Sequence, residues 1–190
     1  MNQPPVVRII AATALEVCPR FNLKKEAQAL LRKRMTPWEF LDALVAGKQY
    51  VAGIDFIAHA LPRREGVWWA CLCIQQAFGD RWSEADKAAC RAAVFWVYQP
   101  NEMYRLATQA PAAAAGLQSP AGILAAGVYQ SGDNLAPPKL PPVPPPPFAT
   151  EKAVANAVKM AATKVEPLKM AEMRRLFLEL GIAVARGFYV

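Results

Sequence analysis

Helix-start signals recur along this chain at short intervals, and between them they favour one kind of architecture. Thr36-Pro37-Trp38-Glu39 is a capping box with proline at the first helical position. The threonine hydroxyl meets an orphan amide, the glutamate reaches back, and the donor that proline lacks was not needed there. Gly47 offers the stop. Ser83-Glu84-Ala85-Asp86 repeats the logic after Gly79 closes the helix before it. Ser119-Pro120 opens another helix that ends near Gly132. Thr150 caps the next, and Pro167 starts the last, which stops at Gly187.

The apolar spacing agrees with the punctuation. Ala85, Ala88, Ala89, Ala92 and Trp96 fall on one helical face, as do Val154, Ala157, Val158, Ala161 and Val165, and Met173, Leu176, Phe177, Leu180 and Val184. No stretch sustains a period of two. The expected fold is all-α: about eight to ten helices of roughly 10–20 residues, joined by connections short enough to make neighbours antiparallel hairpins. Between Pro62 and Phe78 the apolar residues surround the axis, which predicts a helix at the centre of the core. Its predecessor, from Tyr50 to Leu61, is similarly apolar. The Arg63-Arg64-Glu65 corner between them is expected at the wet end of the pair.

Eight of the 17 prolines lie between Asn134 and Phe148. Prolines fix φ, so this run must be extended polyproline II. It divides the chain into a helical bundle (1–132), a proline-rich strap (133–149) and a C-terminal helical hairpin (150–190) packed on the same body. The run reads either as a docking peptide for an aromatic-lined groove or as a strap lying across the protein's own helices. Leu135, Leu140, Val143 and Phe148 interrupt it with side chains suited to burial, alongside Pro137 and Pro138, and that favours the packed strap.

At 190 residues the chain can bury a substantial core. Its 54% hydrophobic share is largely alanine, which favours helix. The net charge of +7 admits anionic partners without specifying one. Arg20, Lys24, Lys25, Arg32, Lys33 and Arg34 form one cluster, read as the solvated face of a helix that Asn22 caps and whose buried side is Ala27, Leu30 and Leu31. A nucleic-acid binder would show a denser stripe with aromatic or polar readers interleaved. A protein partner is therefore the first expectation and nucleic acid the alternative. The apolar stretch from Val6 to Val17 is interrupted by Arg8 and Glu16, and no run is long enough to span a bilayer, so the cytoplasm is expected.

Chemistry-bearing motifs are sparse. Cys71 and Cys73 point about 200° apart on a helix and do not readily share an ion, while Cys18 and Cys90 have no ligand at diagnostic spacing. Neither metal nor cofactor is expected. His59 is the only histidine, with Asp55 one turn before it, but no nucleophile motif or phosphate-cradling loop accompanies them. No catalytic residue is assigned, and a satisfied histidine near a helix end is the preferred reading. Of the tryptophans, Trp38 and Trp82 flank helix starts and Trp68-Trp69 sit in the buried helix.

Three strings together resemble an uncharacterised family of bacterial proteins of about this length. They are Met35-Thr36-Pro37 with Glu39-Phe40-Leu41; Ala58-His59-Ala60-Leu61-Pro62-Arg63-Arg64-Glu65 running into Val67-Trp68-Trp69-Ala70-Cys71; and Ser131-Gly132 with Leu135-Ala136-Pro137-Pro138 and the proline run. Similar proteins are encoded beside type VI secretion effector modules. That resemblance implies a non-enzymatic cytoplasmic accessory, an adaptor or chaperone that holds a secretion effector or spike component. An immunity protein that neutralises a neighbouring toxin is the alternative. The Pro62 corner and the strap become the first candidate surfaces.

Overall fold

The computed structural model describes residues 8–79, 81–136 and 140–188. Among them are ten α-helices and no strand. Capping chemistry sets most of the starts. Thr36 accepts the Glu39 amide at 3.2 Å while Glu39 accepts the Thr36 amide at 2.8 Å, which opens α2 (Pro37–Ala46). The helix α3 (Tyr50–Ala60) ends at the Pro62 corner, where α4 (Arg63–Phe78) begins. Gly79, at a φ of 54° that disfavours other residues, closes α4, and Ser83 accepts the Asp86 amide to start α5 (Glu84–Tyr98). Asn101 caps the short α6 (Glu102–Ala107), which leads into α7 (Gln109–Ala115). Ser119 accepts two amides at the head of α8 (Pro120–Tyr129). After the proline segment come α9 (Ala149–Ala161) and α10 (Met170–Ala185).

The helix α4 lies at the centre, packed against α5, α8, α9 and α10. Val67, Trp69, Ala70, Cys73 and Ile74 are fully buried on it, and only residues such as Arg64, Gln75 and Gln76 reach solvent. The Trp69 indole donates to the Phe177 carbonyl at 2.9 Å, which satisfies its one polar atom inside the core. The close approach of α10 depends on Gly181, where a Cβ would lie 2.8 Å from the Trp69 ring. Gly127 plays the same part between α8 and α9, where a Cβ would collide with Ala153.

Several expectations are corrected by the packing. The basic stretch from Arg20 to Arg34 forms only the single turn α1 (Lys25–Gln28), with Lys24 and not Asn22 at its cap position. Arg34 takes φ of 66° and the Met35 carbonyl accepts the Ala14 amide at 2.8 Å, so this arm is held by long-range bonds and not by helix propagation. Ala27 is buried as expected, but Leu30 and Leu31 are only half-buried. In α5 the buried face is Ala89, Ala93, Trp96 and Val97, with Ala88 exposed. Alanines on several faces of one helix leave its phase to the neighbours. In α10, Leu178 is buried and Leu176 is exposed.

Thr150 is not a cap. The preceding helix position is Phe148 in the left-handed region, and the Thr150 hydroxyl donates instead to the Gly127 carbonyl at 2.9 Å, fastening α9 to α8. Pro167 starts a 3-10 turn (Pro167–Lys169) that leads into α10. The two C-terminal helices find their principal partners elsewhere than in each other: α9 lies on α8, α4 and α3, and α10 lies on α3 and α4.

Candidate interaction surface

The Pro62 corner is a junction more than a free surface. Arg63 donates to Glu151 at 3.2 Å and to the Ser131 carbonyl at 3.0 Å, reaching the start of α9 and the residues just past α8. Arg64 donates to the Val97 carbonyl at 2.7 Å in the last turn of α5, an orphan acceptor of that helix end. Glu65, expected at the wet end, is buried and pairs with Arg8 at 3.6 Å. Three consecutive polar residues thus fasten four parts of the fold to the first turn of α4.

The basic cluster divides in two. Lys24, Lys25, Arg32 and Lys33 are exposed. Arg20 turns inward, donating to the His59 carbonyl at 3.0 Å with its guanidinium 5.9 Å from the Phe148 ring centre. His59 itself is 2% exposed, with its ring 5.2 Å from Phe21 and 6.1 Å from Phe148. Its Nδ1 meets the backbone carbonyl of Asp55 at 2.8 Å, while the Asp55 carboxylate receives Lys159 at 2.6 Å. The carboxylate-oriented base that the i, i+4 spacing allows is therefore not the pairing formed. The His59 Nε2 is buried with no partner among the described residues. Burial lowers the imidazole pKa, against the Asp55 carbonyl and the Glu151 charge, which raise it.

The cysteines sit on neighbouring helices. Interaction of the Cys71 thiol on α4 with the Cys90 thiol on α5, followed by burial, pushes Cys71 well up. Burial alone does the same to Cys73, and it pushes Cys18 up to about 11. Among the described residues no group of three His, Cys, Asp or Glu side chains is arranged to hold a metal ion.

Among its described residues the strap is anchored at its ends, while Leu140 to Pro147 is largely exposed. Leu135 is half-buried, its amide donating to the Val143 carbonyl at 2.8 Å and its carbonyl within 3.4 Å of the Tyr129 hydroxyl. Phe148 closes the other end against His59. Between them Leu140 is 60% exposed and Val143 52% exposed, contrary to the burial their side chains suggest. A run without N–H donors leaves carbonyls that a dry core would strand, so solvent keeps the segment. Pro137 and Pro138 lie outside the described residues.

Two features escaped the sequence reading. Arg105 is buried, chelating Glu102 through Nε at 2.7 Å and Nη2 at 2.5 Å, donating to the carbonyls of Tyr129 and Asn134, and stacking over Tyr129. It floors a cleft of about 560 Å³ whose walls include Leu106, Tyr129 and Leu135. The only local signal was an i, i+3 acid–base pair behind Asn101, which resembles any solvated pair. The second feature is an apolar corner. Phe95, Tyr98, Met103 and Leu106 are all exposed on α5 and α6, with Tyr98 67% and Met103 64% exposed. Phe95 stacks on Tyr104 at 6.0 Å and Tyr98 tilts against Trp68 at 6.4 Å. Trp68 and Trp69 are adjacent on the buried helix and cannot both face inward; of the two, Trp68 is the outer and is half-buried.

The model of a family of unknown function, DUF6931, matches residues 40–185, which is more than half of the chain. The chain belongs to the DUF6931 family. The matched range runs from α2 to the last residue of α10, so it takes in the DUF6931 core, the Pro62 corner, the apolar corner and the strap, and leaves out the basic cluster. No curated protein and no solved structure matches this DUF6931 chain. No helix among the described residues is long and apolar enough to cross a membrane.

Proposed function

We propose that this DUF6931 protein is a non-enzymatic binding protein that docks a protein partner through the α5–α6 corner. The observation that carries this reading is the exposure of Phe95, Tyr98 and Met103 on the consecutive helices α5 and α6, with Phe95 stacked on Tyr104 across them. Large apolar and aromatic side chains left in water cost solvation free energy that a partner recovers, and aromatic anchors of this kind supply most of the affinity at interfaces. The resemblance of the Leu-Pro-Arg-Arg-Glu and Trp-Trp-Ala-Cys strings to proteins encoded beside type VI secretion effector modules supports the finer identity. The partner is then an effector or spike component, and the role is that of a cytoplasmic adaptor or chaperone.

The test is affinity recovery from the native host with mass spectrometry, comparing the wild-type chain with a Phe95→Ser/Tyr98→Ser variant. A secretion component enriched by the wild type and reduced at least tenfold by the variant, with an unchanged urea unfolding midpoint, is the expected result. Repeated recovery of the chain alone would sink the reading.

A further inference from the structure

Leu140 to Pro147 contributes little to the packing of its own fold. All of its residues except the half-buried Pro145 are exposed. Six of the eight are prolines, and every residue that precedes a proline is biased to the same extended region. A polyproline II helix has three residues per turn, so Leu140, Val143 and Pro146 form one ridge, with Pro141 and Pro144 on the next. The carbonyls of Leu140, Pro141, Pro142, Pro144 and Pro145 meet no donor among the described residues. The segment therefore offers flat apolar ridges and a row of acceptors, and nothing on it donates except two amides.

Its ends, by contrast, are fastened. The Asn134 side-chain oxygen accepts the amides of both Ala136, at 2.9 Å, and Val143, at 2.8 Å, while the Leu135 amide donates to the Val143 carbonyl. Arg105 holds the Asn134 carbonyl from below. At the far end the Ala149 amide donates to Pro146 at 3.1 Å and the Lys152 ammonium to Pro147 at 2.9 Å. A linker needs no such clasps. An exposed polyproline segment with both ends tied loses little further entropy when something binds it.

We infer that Leu140–Pro147 is a preorganised polyproline ligand, displayed for an aromatic-lined groove on a partner protein. The groove would stack tryptophan or tyrosine rings on the Leu140–Val143–Pro146 ridge and turn indole N–H or phenol O–H donors toward the free carbonyls, the mode by which such segments are recognised. This site is distinct from the α5–α6 corner and stands whether or not that corner is a docking face.

The decisive experiment places a photo-crosslinking benzoylphenylalanine at position 143 of the full chain in the native host and maps the crosslinked peptide. The expected result is one partner, crosslinked within reach of tryptophan or tyrosine side chains. Its yield should fall at least tenfold when Pro141, Pro142, Pro144 and Pro145 are changed together to alanine, and a free peptide of residues 140–147 should compete in the purified pair. The urea midpoint of the alanine variant, expected unchanged, shows that the body still folds. Crosslinks to the chain itself alone, to a partner surface without aromatic residues, or at a yield indifferent to the prolines would overturn the inference. The Phe95→Ser/Tyr98→Ser variant run in parallel reports on the corner separately.

Discussion

The helix α4 and the segment Leu140–Pro147 are both rich in apolar side chains, and the fold treats them oppositely. In α4 the apolar residues are buried almost all round, whereas in the proline segment Leu140 and Val143 face water. Side-chain hydrophobicity does not separate the two; backbone accounting does. A helix pairs its own N–H and C=O groups and carries no polar debt into the core, and Trp69 places its one remaining donor on the Phe177 carbonyl. A proline run cannot pair internally, so its carbonyls need water or an outside donor. Apolar composition predicts burial only where the backbone is already satisfied.

That contrast can be broken in order of effect. Trp69→Ala empties the centre of the core and removes the indole's bond to the Phe177 carbonyl. It should lower unfolding stability by about 3–5 kcal/mol in urea denaturation. A smaller loss that fades with substitution size would mean that α4 is less central than its burial implies.

A middle-sized effect should come from pH. His59 is buried with its pKa below the ordinary 6.5, so the unfolded chain binds a proton more readily than the folded one. Its contribution is fully present above 6.5 and is lost as pH falls through the window between 6.5 and the lowered folded value. The urea midpoint should therefore drop between pH 7.5 and 5.5, and His59→Phe should flatten that slope, Glu151, Asp55 and Lys152 being the charges that also act on the ring. A slope indifferent to the substitution would assign the effect to other groups.

The smallest effect belongs to the exposed segment. Leu140→Ser with Val143→Ser should change stability by no more than about 0.5 kcal/mol, as surface substitutions do. A loss of about 2 kcal/mol or more would show that these side chains are buried after all, and would erase the contrast with α4.

Much of the fold was legible because local chemistry sets it. The Thr36–Glu39 box, Ser83, Ser119 and Gly79 act where their sequence patterns say, and the all-round apolar pattern of α4 marks the centre. What was not legible depends on partners distant in the chain. The arm from Arg20 to Arg34 looked helical, yet its conformation answers to Ala14 and to His59. Thr150 has the composition of a cap but spends its hydroxyl on Gly127 across the strap. Of the candidate site residues, Lys24, Lys25, Arg32 and Lys33 are exposed though not on the helix face expected of them, whereas Glu65 turns inward; Arg105 was invisible, since a buried arginine is identified only by the carbonyls that surround it. The apolar corner was hidden for a similar reason: Phe95 and Tyr98 sit in a helix whose phase its neighbours decide.

The bond from Thr150 to Gly127 also bears on how the proline segment can change over generations. It brings the helices on either side of that segment into contact, so the segment closes a loop between ends that already touch. The entropy of such closure grows only with the logarithm of length, about 0.6 kcal/mol for each doubling. Residues can be gained, lost or replaced there with almost no effect on the body. A change of sequence or length in the segment is thus expected to leave the packing of the helices as it is.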